Sequence, residues 1–143
     1  SGEALMNEAV QKRGSVETAY FSVTGTDDEV VPFVNENNWR TNAFFCAWTA
    51  YQTMNGMEVS SRPDFSKDAT FGMALKDREV ISTNKRVTME AGVLYKGDIP
   101  LIKVVAVNDY GHWNFKPDAR LMWDFMKQFS RDPRTKKLVY GKR

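Results

Sequence analysis

The chain has 143 residues, of which 42% are hydrophobic and 27% charged, with 20 Lys and Arg against 18 Asp and Glu for a formal net charge of +2. Length and composition are those of one globular domain that can bury a core, which excludes a disordered or low-complexity chain, and so small a net charge argues against a nucleic-acid partner. No apolar run approaches the ~18 to 20 residues that cross a bilayer, so no membrane span is expected. The lone Cys46 closes no intrachain disulfide. The first expected element is a short amphipathic helix over residues 3–13, where Ala4, Leu5, Ala9 and Val10 recur at near-helical spacing before Gly14. Glu17 to Thr24, with Tyr20, Phe21 and Val23 among β-formers, predicts a strand that ends in the turn Gly25-Thr26-Asp27-Asp28. Within Asn35 to Asn55 the block Ala43-Phe44-Phe45-Cys46-Ala47-Trp48 is helical in spacing, flanked by Trp39, Tyr51 and Met54, with Asn55-Gly56 as its stop.

Ser60 to Asp68 reads as a loop around Pro63, and Phe71 to Asn84 is ambiguous. From Val87 the pattern turns to alternation: Val87, Met89, Ala91, Val93 and Tyr95 interleave with Arg86, Thr88 and Glu90, a half-buried strand. Lys96-Gly97-Asp98 then turns the chain into Leu101 to Val107, almost wholly apolar, as for a strand covered on both faces. After Asn108-Asp109-Tyr110-Gly111-His112, a helix is expected over Pro117 to Ser130. Pro117 and Asp118 favour its start, and Leu121, Met122, Phe125, Met126 and Phe129 form its buried stripe. The cationic Lys136-Lys137 and Lys142-Arg143 read as a solvated end. No internal repeat or linker divides the chain, so residues 1–143 are read as a single domain or half-domain of α/β class.

The one histidine, His112, directly follows the most apolar strand, and Asp28 directly follows the other clear strand. In open α/β sheets, reactive groups collect beyond the carboxyl ends of strands, where a rigid sheet holds loop side chains in fixed geometry. An imidazole there can act as a general base near neutral pH, and a carboxylate on its other nitrogen fixes the tautomer. The same Asp could merely cap its own turn, and Asp27 offers a competing carboxylate.

Gly25-Thr26-Asp27-Asp28-Glu29-Val30-Val31-Pro32 resembles the G-x-x-D-x-x-V-P segment that carries the triad acid in α/β-hydrolases, and Gly111-His112-Trp113 resembles their histidine turn. With Asn114 to Asp118, Leu121 to Met126 and Phe129 to Asp132, the resemblance is to bacterial esterases related to polyhydroxybutyrate depolymerases and feruloyl esterases, from Val16 to Tyr140. It implies the C-terminal portion of an α/β-hydrolase sheet: strand, turn and helix, then a β-hairpin and a C-terminal helix. It also implies Asp28 as triad acid, His112 as triad base, and carboxylic-ester hydrolysis of polyester, feruloyl or acetyl type by the complete, commonly secreted enzyme. The nucleophile elbow G-x-S-x-G occurs nowhere in the chain, and 27 residues before Asp28 leave no room for the half that bears it. The expectation is therefore a fragment or one piece of a split hydrolase, inactive alone, whose partners are the ester substrate and the missing N-terminal half. Self-association through an exposed sheet edge is the alternative partner. The rival reading is a non-catalytic binding or assembly domain with a hydrolase-like fold. Trp113 is the candidate substrate-binding residue, while Trp39, Phe45 and Trp48 read chiefly as core. Cys46 reads as a buried small hydrophobe, with no local base to stabilise a thiolate. One His and one Cys give no recognised metal spacing, so neither metal nor cofactor is expected.

Overall fold

The computed structural model describes residues 8, 11–12, 16–83 and 86–141, so most of the helix expected over residues 3–13 lies outside the described residues. The chain forms β1 (Tyr20–Gly25), α1 (Ala43–Met54), β2 (Lys76–Ser82), β3 (Thr88–Lys96), β4 (Ile99–Val107), α2 (Lys116–Met126), β5 (Phe129–Arg131) and β6 (Leu138–Tyr140). A four-stranded mixed sheet runs β1-β4-β3-β2, and β5 and β6 form a separate hairpin. β1 lies parallel to β4 with Tyr20 opposite Ile102 and Gly25 opposite Val107. β3 pairs antiparallel with both β4 and β2. The chain is thus mixed α/β, as its sequence pattern predicts.

Local chemistry accounts for the elements. α1 starts where Asn42 Oδ1 accepts the N–H groups of Phe44 and Phe45, each at 3.0 Å. It stops at the fully buried Asn55, with Gly56 at φ +64°, the left-handed conformation that glycine adopts without strain. Asn55 also accepts from Thr18 N–H at 2.6 Å and donates to Thr18 C=O at 3.0 Å, which ties the helix end to the segment entering β1. The β3–β4 hairpin turns at Gly97, φ +58°. β2, unassigned by periodicity, is an exposed edge strand whose register slips between Lys76 and Glu79.

β4 is apolar throughout because the sheet is covered on both sides. Ile102, Val104 and Ala106 join Phe45, Trp48, Phe71 and Met73 in the core on the α1 side. Val105 and Val107 join Met89, Ala91 and Phe115 on the other, with Phe21, Val23 and Leu121 packed against them. Trp48 donates its indole N–H to Ser22 Oγ at 3.0 Å, so the largest core side chain is satisfied inside the core.

The C-terminal region corrects two expectations. The helix ends at Met126, and Phe129 opens the β5–β6 hairpin instead of extending the helix to Ser130. Of the expected stripe only Phe125 is buried, and Met122 and Met126 are exposed. The hairpin's turn is held by Asp132 Oδ1, which accepts the N–H groups of Arg134 and Thr135 at 2.8 and 2.7 Å. That local closure competes with further helix and turns the chain back so that Gly141 N–H reaches Gln128 C=O. Cys46 is half-buried and not fully enclosed, with Sγ 3.9 Å from Arg40 C=O. Lys136 and Lys137 are exposed, while Lys142 and Arg143 lie outside the described residues. No described helix is long and apolar enough to cross a membrane.

Candidate functional site: a carboxylate and an imidazole at two parallel strand ends

Because β1 and β4 are parallel neighbours, their C-terminal loops emerge side by side. The two loops are joined at the main chain: Thr26 N–H donates to Val107 C=O at 3.0 Å, and Asp27 N–H donates to Tyr110 C=O at 3.1 Å. Gly25 makes this approach possible, since a Cβ built there would sit 1.9 Å from the Tyr110 carbonyl oxygen.

The junction brings together residues 84 apart in sequence: Asp28 Oδ2 lies 2.8 Å from His112 Nδ1. The two roles weighed for Asp28 are both present, one on each oxygen. Oδ1 accepts the N–H groups of Val30 and Val31 at 2.9 and 2.8 Å and so caps the turn, while Oδ2 is left for the histidine. Asp27, the competing carboxylate, is exposed, and its contribution to the junction is its backbone N–H.

The electrostatics follow from those contacts. Burial alone would raise the Asp28 pKa, but the Val31 amide, the His112 ring and the Val30 amide outweigh it and hold the carboxyl below its ordinary value. An ionised Asp28 favours the tautomer with the proton on Nδ1, which leaves Nε2 as the basic nitrogen. The Asp28 side chain is 6% exposed and that of His112 is 55% exposed, so the pair has a shielded acid and an accessible base. Nε2 has no hydrogen-bond partner among the described residues.

The imidazole borders an open cleft of about 420 Å³ between the end of β1, the start of α1 and the start of α2. Val23, Phe44, Trp113 and Phe115 give it apolar walls, and Asn114 and Asp118 are polar. Burial raises the Asp118 pKa. Trp113 is 84% exposed, so it stands at the rim of the cleft. Phe45 and Trp48 lie in the core and Trp39 packs against it, apart from the cleft.

Sequence reasoning missed Phe44, hidden in a run of aromatic residues most of which are core. It also read Asp118 only as a helix-initiating charge. The one available signal for Phe44 was its place at the start of α1, the end that approaches the cleft. The hydroxyl side chains lining the cleft are those of Thr24 and Tyr110, and no serine lines it among the described residues. Thr24 is buried and its hydroxyl is directed to the Gly25 carbonyl. The arrangement can hold and transfer a proton at Nε2 but presents no activated nucleophile of its own. Comparison with protein-family models, curated proteins and solved structures gives no match to the chain.

Proposed function

We propose that this chain is the acid–histidine part of a serine carboxylic-ester hydrolase, the C-terminal portion of an α/β-hydrolase sheet, and that the serine comes from a polypeptide extending the sheet beside β1. The observation that carries the reading is the 2.8 Å contact between Asp28 Oδ2 and His112 Nδ1 across two parallel strand ends, with His112 lining a cleft in which no serine stands among the described residues. In the complete site His112 Nε2 takes the serine proton as the hydroxyl attacks the ester carbonyl, then returns it to the leaving alcohol. Asp28 holds the imidazole in its productive tautomer and balances the imidazolium charge that forms. Trp113 and Phe44 flank the acyl or alcohol portion of a polyester, feruloyl or acetyl ester.

The test pairs the purified chain, alone and co-expressed with G-x-S-x-G-bearing N-terminal halves of such esterases, with a short-chain p-nitrophenyl ester. The expected result is no serine-type turnover by the chain alone, and turnover in a complex that is lost in His112→Ala. Robust turnover by the chain alone that disappears with His112→Ala would overturn the external origin of the nucleophile. An imidazole whose NMR signals do not respond to Asp28→Asn would overturn the pair itself and leave the reading of a non-catalytic assembly domain.

A further inference from the structure

The Asp28–His112 contact spans two loops, so its geometry depends on what fixes one loop against the other. Among the described residues three hydrogen bonds do this besides the pair itself. Two join backbone to backbone, Thr26 N–H to Val107 C=O and Asp27 N–H to Tyr110 C=O, and any non-proline residue at 26 or 27 can make them. The third depends on a side chain: Asp109 N–H donates to Thr26 Oγ1 at 2.9 Å, across 83 positions of sequence.

Asp109 is where the loop after β4 leaves the strand, and its φ of +53° lies in the left-handed region, uncommon for a residue with a side chain. Such a turn persists where its surroundings over-determine it. On one flank, Asn108 is tied to β3 through its N–H to Thr88 C=O and its side-chain amide to Thr88 Oγ1, both 2.9 Å. On the other flank the support is Thr26. The loop that carries His112 is thus held between β3 and the loop that carries Asp28.

We propose that Thr26 is a positioning residue for the acid–histidine pair: its hydroxyl oxygen, by accepting the Asp109 N–H, sets the spacing of the two loops and so keeps His112 Nδ1 on Asp28. The proposal rests on reading Asp28 and His112 as a working pair. It differs from a purely structural role for Thr26 in one respect: loss of the hydroxyl changes the protonation pattern of the imidazole as well as the stability of the fold.

The chain has a single histidine, so an imidazole-selective ¹⁵N NMR spectrum reports His112 without ambiguity. In the wild-type chain at neutral pH, an Nδ1–H tautomer with an exchange-protected Nδ1 proton is expected. Thr26→Val and Thr26→Ala remove the acceptor and abolish that protection, shifting the proton toward Nε2 as in a freely solvated imidazole. Thr26→Ser keeps the acceptor and restores the wild-type pattern. Asn108→Ala severs the side-chain tie to Thr88 on the far flank and lowers the melting temperature with the Nδ1 signal retained. Should Thr26→Val fail to fold, the Thr26→Ala and Thr26→Ser pair carries the comparison, together with protection of the Asp109 amide in the wild type. An Nδ1 signal unchanged in a folded Thr26→Ala chain, or an unprotected Asp109 amide in the wild type, overturns the role of Thr26. A wild-type imidazole with no protected Nδ1 proton, unaffected by Asp28→Asn, overturns instead the pair on which the proposal rests.

Discussion

The site is built around the close approach of two main chains, so replacing Gly25 with alanine is the sharpest single perturbation of it. A Cβ on Gly25 would lie 1.9 Å from the Tyr110 carbonyl oxygen, 2.6 Å from its carbon and 2.9 Å from the Gly111 carbonyl oxygen, all backbone atoms. Reaching the 3.4 Å at which ordinary van der Waals contact begins requires the first of these to open by 3.4 minus 1.9, or about 1.5 Å. Neither side yields easily, because Gly25 is the last β1 residue paired to β4 and Tyr110 C=O is the acceptor for Asp27 N–H. Forced overpacking of this kind costs about 1–3 kcal/mol. The strained Asp27 hydrogen bond adds about 1 kcal/mol, and the lower chain entropy of unfolded alanine returns about 0.4–1 kcal/mol. The net expectation is a destabilisation of about 1–3.5 kcal/mol, or a melting temperature lowered by roughly 3–12 °C for a chain of this size. Tyr110 lies two residues before His112, so the same displacement carries the imidazole out of hydrogen-bond range of Asp28, now at 2.8 Å. Gly111→Ala is the matched control. The nearest atoms to its added Cβ are 3.9 and 4.0 Å away, so its melting temperature stays within about 2 °C of the wild type. Thermal unfolding and the His112 imidazole spectrum measure both effects. A Gly25→Ala chain as stable as Gly111→Ala, with its Nδ1 signal intact, would refute the reasoning.

Asp28→Asn tests the charge. A carboxyl held below its ordinary value in the folded chain contributes stability that is present above the unfolded value near pH 4 and is lost as the pH falls through the folded one. Denaturant unfolding should therefore find Asp28→Asn less stable than the wild type at pH 7, with the gap closing below about pH 4, and a gap independent of pH would refute this. Trp48→Ala removes a fully buried indole and should cost about 3–5 kcal/mol in urea unfolding. Trp48→Phe should cost about 1–3 kcal/mol because Ser22 Oγ loses its donor, and a loss under 0.5 kcal/mol for either would contradict the packing described. Trp113→Ala, at an 84% exposed position, should leave stability within about 0.5 kcal/mol of the wild type, and a larger change by thermal unfolding would place the indole in the fold and not at the rim of the cleft.

What the sequence discloses here depends on whether burial or backbone pairing decides an element. β3 and β4 are legible because each buries side chains, β3 in alternation over its first half and β4 on both faces, and α1 because an apolar run at helical spacing stops at Asn55-Gly56. β2 is illegible for the converse reason. Its Lys-Asp-Arg-Glu run buries almost nothing, and it is a strand because its main chain completes the ladder on β3. The over-extended C-terminal helix has a similar origin: Phe129 continues the helical period, while the chain's direction is decided by the Asp132 turn and the β5–β6 ladder. At the site, strand ends and residue types pointed to His112 and to the Asp27-Asp28 turn, and the choice of Asp28 came from the resemblance, but the division of labour between the two Asp28 oxygens is a property of the folded turn. So is the bond from Asp109 to Thr26, which no spacing rule connects over 83 residues.

The two edges of the sheet bear on where a nucleophile belongs. β2 is defended in the manner of a natural outer strand, with four consecutive charged residues, a register slip and Asp77 at φ +49°. β1, Tyr-Phe-Ser-Val-Thr-Gly, carries no charge, no proline and no register slip. Its Ser22 and Thr24 are buried, and Phe21 reaches Phe125 of α2 on the opposite face, so it has the two-sided cover of an interior strand. Since Thr26 N–H bonds back to Val107, the alternation of the ladder turns the main-chain groups of Phe21 and Val23 away from β4, toward an edge that no described strand occupies. A strand added parallel to β1 would end beside the cleft into which His112 faces. Under the proposed function that is where the chain bearing the serine enters, and the same edge that completes the sheet completes the site.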